Sequence, residues 1–495
     1  MRTPTQSAGR PFEAWAEAPV AFAATRFVSC LGVIVLLGAL LRLILIATTT
    51  TAFDPMNQLY PGYTDGWEYM DNARSLVETG TYGYAGRPSA FRPPAYPFLI
   101  ALTWWTFGET LTPIRLLQVG FFALMTIVYA RVVAERFGGA AGLMTSAILA
   151  LYPLFIFMTS EIATESLYMV ISALVFALTL SLLNPGRSLR RRIVAGFAAG
   201  LCLGLGTLTR PNMLVMVFLI AALTGWDGIR KRRERIAWAG PVIALLVGAY
   251  AVLTPWLLRN EKRIGAPIVA TNIHYNVFRG TFDQVDGLSL GDNIADIFKA
   301  YHVLYEEEIE DVKNTRLSMD EVTSERNASA AALSIIRNDP AGWFLQRIKN
   351  GFYLWLNLQW DPVVVRGRTI VVAASAAVTL VYYLLLLGAL VGGVWLWRRR
   401  ARVPAAPFLT VTGLFILAAM STVLTFVGKR YRVATIDPYL ALLAGASAGW
   451  WLLLASRRGV RVAGGVRPDT GSCGGHTGGA VAGILPGDRG DTTLA

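Results

Sequence analysis

Long apolar stretches parted by short, arginine-rich gaps limit this chain more than any other feature. The stretches fall at about 27–48, 113–134, 139–157, 162–183, 192–209, 211–226, 237–258, 369–397, 404–427 and 433–456. A run of about 20 apolar residues, wound as a helix, crosses the hydrocarbon core of a bilayer. The pattern therefore predicts an all-α polytopic membrane protein with about ten transmembrane helices. Only 16% of the 495 residues are charged, where a soluble chain carries roughly a quarter. The net charge of +13 could suggest nucleic acid, but the basic residues sit beside apolar segments, as they do in cytoplasmic loops. No nucleic-acid partner is expected.

Cysteine and histidine exclude other chemistry. Cys30, Cys202 and Cys473 are scattered, two of them inside apolar runs, so neither a disulfide framework nor a CxxC metal site fits. His274, His302 and His476 lack metal-ligand spacing, and no metal site is expected. Residues 1–26 read as a cytoplasmic tail before an uncleaved anchor. Residues 27–456 read as the membrane domain, and the Gly-rich 457–495 as a disordered cytoplasmic tail. Arg42, toward the far end of the first span, is placed to snorkel.

Charge sets the orientation. Four basic clusters, Arg187–Arg192, Arg230–Arg235, Arg398–Arg402 and Arg457–Arg461, share one side only if Ala95–Gly108, at about 14 residues too short to span, lies in the interface. The positive-inside rule then puts all four clusters and both termini in the cytoplasm. The outer face carries two large loops, 49–112 and 259–368, and turns near Glu161, Arg210 and Gly428. Interfacial helices are expected in those loops, one at about 343–360 with Trp and Tyr suited to the headgroup level.

The first outer loop is the most informative: YTDGWEYMDNARSLVETGTYGYAGRPSAFRPPAYP, Tyr63–Pro97. Asp65, Glu68, Tyr69, Asn72, Ala73 and Leu76 have helical spacing, which predicts a short amphipathic helix from Asp65, with Tyr69 one turn along. Asp65 and Glu68 can form a capping box. That role is compatible with a carboxylate base held in a fixed place. The prolines after Arg92 stiffen the chain, either as a plain stop before the next helix or to hold Arg92 near a lipid phosphate.

These residues resemble the first periplasmic loop of bacterial GT-C fold membrane glycosyltransferases. Within them the chain is similar to the protein O-mannosyltransferase and aminoarabinose-transferase group, glycosyltransferase family 39 and its relatives. TLTRP (207–211), TPWLLRN and the following Asn and Gly positions (254–280), and KRYRVATIDPYLALLAG (429–445) extend the resemblance over most of 27–456. It implies a GT-C-like fold and transfer of a sugar, with inversion, from a polyprenyl-phosphate donor to an acceptor hydroxyl on the outer side. The acceptor is left open among protein, lipid and glycan.

The same resemblance places the catalytic base at Asp65 and calls for cations where phosphate departs. Arg92, Arg210, Arg259, Lys429, Arg430 and Arg432 are the candidates; for each the alternative is a snorkel or a headgroup contact. Arg210, between two apolar runs, is the hardest to dismiss. Tyr69 joins Asp65 on the substrate side. Glu161 and Glu165, one turn apart, could bind acceptor hydroxyls, orient Asp65 or hold a divalent ion with it, or they cap the helix that follows. His274 is expected beside the site, not as a ligand. No cofactor is required, and a divalent metal is possible but unsupported. The expected location is the cell (inner or plasma) membrane, with the site on its extracytoplasmic face. Two competing readings are a transporter or lipid-linked-sugar flippase, against which stands the lack of an internal repeat, and an assembly factor with a degenerate site.

Overall fold

The computed structural model describes residues 26–49, 65–84, 86–231, 235–282, 321–356, 370–400, 405–424 and 429–449. The tails, apart from Arg26, lie outside them. In chain order the elements are α1 (Phe27–Thr49), α2 (Asp65–Thr79), a hairpin of β1 (Gly83–Tyr84) and β2 (Arg87–Pro88), α3 (Ala95–Phe107), α4 (Thr112–Phe137), α5 (Gly139–Leu151) and α6 (Pro153–Met158). They continue with α7 (Glu165–Leu182), α8 (Leu189–Thr207), α9 (Met213–Arg230), α10 (Arg235–Ile264), α11 (Ile273–Phe282), α12 (Glu321–Asn338) and α13 (Pro340–Leu356). α14 (Ile370–Arg398), α15 (Ala406–Met420), α16 (Lys429–Thr435) and α17 (437–449) complete them. The all-α polytopic class is borne out.

Apolar runs become helices because hydrocarbon offers no partner for backbone N–H and C=O groups, and a helix satisfies them within the segment. Among the described residues six helices are long and apolar enough to cross a membrane. The other four of the ten expected runs fall short of that length or composition, each for a local reason. The run at 139–157 is divided at Tyr152, whose extended backbone precedes Pro153. α8 carries three arginines in its first turn. α15 stops after 15 residues and passes into a 3₁₀ turn, Ser421–Leu424. The final run divides at Ile436, just before Pro438.

Arg42 does not snorkel. It is buried, and its Nη1 donates to the carbonyls of Gly38 and Ala150, each at 2.9 Å. A longer contact of 3.5 Å reaches the Leu149 carbonyl. That carbonyl has no helical donor four residues on, because position 153 is proline. The arginine of α1 therefore caps the helix that Pro153 breaks.

Two further contacts fix the architecture. α8 and α10 meet through Gly196, Gly200 and Gly204; a Cβ on Gly200 would lie 2.1 Å from the Leu245 carbonyl oxygen. This is the close backbone approach that small residues at four-residue spacing permit in lipid. α3 lies along α2. Near its start Tyr96 packs edge-on against Tyr69, with centroids 5.4 Å apart. Just past its end Arg74 Nε donates to Glu109 at 3.0 Å. Both ends of α3 thus meet the same short helix, which agrees with the non-spanning reading of Ala95–Gly108. α13 covers the helix expected at 343–360 as far as Leu356, and 357–360 lie outside the described residues.

Candidate active site

α2 starts at Asp65, as the spacing predicts, with Asp65 and Glu68 both in its first turn. Carboxylates there are favoured by the positive end of the helix dipole. Facing them is Arg92, presented by the Pro93-Pro94 step. Its Nη2 donates to Asp65 Oδ1 at 2.6 Å, and its Nε donates to Glu68 Oε2. The guanidinium lies 5.4 Å from the ring centroid of Tyr69, which is buried one turn along α2. One arginine therefore ties the two carboxylates of the loop helix and rests on its tyrosine.

The loop is held from behind. Tyr82 Oη donates to the Arg92 carbonyl at 2.8 Å, and the Ala95 amide donates to the Leu208 carbonyl at 2.9 Å. Arg259, at the end of α10, donates to the carbonyls of Ser89 at 2.8 Å and Tyr82 at 2.5 Å, and it lies over Trp256. Its donors thus serve the loop backbone. Glu321, at the start of α12, accepts from Ser89 Oγ, from the Ala90 amide at 2.8 Å and from Thr271 Oγ1 at 3.0 Å.

A second cluster sits at the same end of the bundle. Arg210, in the turn between α8 and α9, donates through Nη2 to Glu165 Oε1 at 2.6 Å and through Nε to Thr164 Oγ1 at 2.8 Å. Glu165 is only 1% exposed in its side chain, and Arg210 is its ion-pair partner. Glu161 lies in the turn before α7. Burial, and then the neighbouring Glu165, push its carboxyl up to about 7, and Arg115 opposes the shift. Arg115 Nε donates to the Ser160 carbonyl at 3.0 Å.

Tyr96 and Gln118 join the clusters. Tyr96 touches Tyr69 with its ring, and its hydroxyl donates to Gln118 Oε1 at 2.9 Å. Gln118 Nε2 donates in turn to the carbonyls of Thr159 at 2.9 Å and Glu161 at 3.0 Å. Sequence reasoning passed over Tyr96, Arg115 and Gln118 and gave Glu68 a capping role alone. Arg115 and Gln118, three residues apart in the first half of α4, carried a signal, since polar groups inside spans are rarely idle.

The other candidates are placed elsewhere. Arg432 is 1% exposed. It pairs with Asp437 at 3.1 Å and lies 3.7 Å from the ring centroid of Tyr382. Tyr152 Oη donates to the other oxygen of Asp437 at 2.8 Å. The side chains of Lys429 and Arg430 lie outside the described residues. His274 opens α11, its side chain half exposed and its Nδ1 3.2 Å from Glu325. The Glu325 carboxyl also accepts the His274 amide at 2.8 Å. Among the described residues no group of three or more His, Cys, Asp or Glu side chains could hold a metal ion.

A helical membrane protein with carboxylate–guanidinium clusters gathered where loops meet helix ends is the class that this fold and site define. Residues 91–255, a third of the chain, match the family model described as dolichyl-phosphate-mannose-protein mannosyltransferase. The resemblance to GT-C membrane glycosyltransferases is thereby borne out over that stretch. No curated protein matches the chain. Among solved structures the chain is similar to ArnT from Cupriavidus metallidurans bound to undecaprenyl phosphate, at 17% identity, covering 88% of this chain and 81% of that one with a TM-score of 0.40. It is also similar to the archaeal oligosaccharyltransferase AglB from Archaeoglobus fulgidus in complex with an inhibitory peptide and a dolichol-phosphate. There the identity is 13%, the coverage 90% of this chain and 53% of that one, and the TM-score 0.49.

Proposed function

We propose that the chain is a membrane glycosyltransferase that moves a sugar from a polyprenyl-phosphate donor to an acceptor hydroxyl on the extracytoplasmic side, with inversion. The catalytic unit is 27–456, set in the cell membrane with both tails cytoplasmic. The observation that carries this reading is the Asp65–Arg92–Glu68 cluster, formed by residues of the loop motif and continuous with the segment that matches the mannosyltransferase family model.

In the transfer the acceptor oxygen bonds to the anomeric carbon as the bond from that carbon to the phosphate oxygen breaks. The hydroxyl proton passes to Asp65, and the phosphate leaves on its lipid. Arg92 holds Asp65 aimed through their ion pair, as a base must be before it accepts a proton. It also sets a positive charge beside the departing phosphate. Arg210 is the second cation for that phosphate, and Glu161 and Glu165 face the acceptor hydroxyls. Tyr69 forms the wall between the clusters. Arg259 supports the loop from behind, in keeping with its bonds to Tyr82 and Ser89. Lys429 and Arg430 contribute positive charge from the start of the last helices, where Arg432, paired with Asp437, anchors the turn.

Asp65→Asn tests the reading. With a polyprenyl-phosphate sugar as donor, transfer falls by about 10²–10⁴-fold while expression and donor binding persist. A transporter would move its cargo at an unchanged rate in this variant. Retained sugar transfer would overturn the assignment of the base.

A further inference from the structure

Away from the site, at the opposite end of the bundle, the arginines of the cluster at 187–192 divide into two kinds. Arg192 is buried, and its Nε donates to the Leu182 carbonyl at 2.9 Å while its Nη1 donates to the Ala237 carbonyl at 2.7 Å. It ties the ends of α7, α8 and α10. Arg187, Arg190 and Arg191 are exposed and line a cleft of about 490 Å³ together with Ser181, Ser188 and Val194. Among the described residues no carboxylate pairs with any of the three, and the nearby Arg136 repels Arg187 as a like charge. Such a concentration of unneutralised guanidinium groups attracts a polyvalent or oxygen-rich anion.

What adjoins the cleft narrows the anion. Val194 lines the cleft and is also 60% exposed. Below it on α8, Phe197, Leu201 and Leu205 are exposed in turn. Their spacing of three, four and four residues sets all four side chains on one face of the helix. A basic cleft thus opens directly onto an apolar stripe about 16 Å long at 1.5 Å per residue. A free phosphate would use the cleft and leave the stripe idle; a phospholipid would use both.

We propose that this cleft binds an anionic phospholipid, its head-group phosphate held by Arg187, Arg190 and Arg191 and one acyl chain lying along Val194, Phe197, Leu201 and Leu205. The three arginines set the preference for a net negative head group over a zwitterionic one. Arg192 belongs to the scaffold, so the cleft can be altered without disturbing the helix ends that Arg192 holds.

The full-length protein, purified in uncharged detergent and titrated in native mass spectrometry, provides the test. Phosphatidylglycerol should bind about tenfold or more tightly than phosphatidylcholine. Arg187→Gln/Arg190→Gln/Arg191→Gln should remove that preference, whereas Arg398→Gln/Arg399→Gln/Arg400→Gln, with the same loss of charge, should keep it. Val194→Asn/Leu201→Asn should weaken phosphatidylglycerol binding with the arginines intact, and inorganic phosphate at equal concentration should not compete. The proposal is overturned if the first triple variant keeps the preference, if both triple variants lose it equally, or if inorganic phosphate displaces the lipid as well as the lipid itself does. An unchanged melting temperature in both triple variants shows that the fold has not been lost.

Discussion

Arg92 serves two carboxylates at once, and its loss should therefore cost more than a single ion pair. Replacing it with alanine leaves the Asp65 and Glu68 carboxylates without their shared cation in a part-buried site, and removes the cation proposed for the departing phosphate. Arg92→Ala should lower sugar transfer by about 10²-fold or more. Arg92→Lys should recover only part of this, because an ammonium cannot present two donors in a fork; kcat/KM measured on both variants checks the order. Glu161 gives a pH signature. Its folded-state pKa is raised from 4.5 to about 7, so the folded state takes up the proton more readily than the unfolded one. The stability this contributes is present at low pH and is lost as pH rises from about 4.5 through about 7. Thermal unfolding of the wild type should therefore move to lower temperature over that window, and Glu161→Gln should lessen the dependence, with Glu325, also raised to about 7 by burial, accounting for part of the rest. At this scale the sequence was legible for Asp65 and Tyr69, where helical spacing ordered the groups. It was not legible for the Asp65–Arg92 pairing, which joins residues 27 apart through a hairpin that no periodicity announces.

Helices were legible wherever one run of apolar residues made one element, as in α1, α4, α7 and α9. They were not where backbone chemistry divided a run. Pro153 stands in an otherwise unbroken apolar stretch, and its missing N–H decides the break at Tyr152 more than hydropathy does. Arg42 looked like a snorkel because sequence distance hides that residue 42 meets residues 149 and 150. Arg42→Met keeps the bulk and removes the donors, leaving carbonyls of the broken helix unsatisfied in an apolar setting. A loss of about 1–3 kcal/mol is expected, read as a lowered melting temperature in detergent. Gly200 tests the neighbouring interface. A methyl there would lie 2.1 Å from a backbone oxygen of α10, which a flexible side chain cannot relieve. Gly200→Ala should cost about 1–3 kcal/mol, while Gly120→Ala, with open space around it, should be neutral or mildly stabilising.

For the molecule as a whole, the two long polar loops act as one assembly. The first loop supplies Asp65 and Arg92; the second supplies Glu321, whose carboxylate accepts from Ser89 and the Ala90 amide just before Arg92. Thr271, on the segment leaving α10, donates to the same carboxylate through Oγ1, and its amide donates to the Ala90 carbonyl at 3.0 Å. Apolar helices set the fold, but these few polar bonds set where the proposed base and its arginine stand. Glu321→Ala removes acceptors for two side-chain donors and one amide without touching the Asp65 cluster itself. The hairpin and residues 86–92 should then exchange amide hydrogens faster, while α4 and α7, held by packing in the apolar core, stay protected. Sugar transfer should fall mainly in kcat, since the base is displaced and not removed. Faster exchange confined to α12, with 86–92 unchanged, would show that the second loop rests on the first without positioning it.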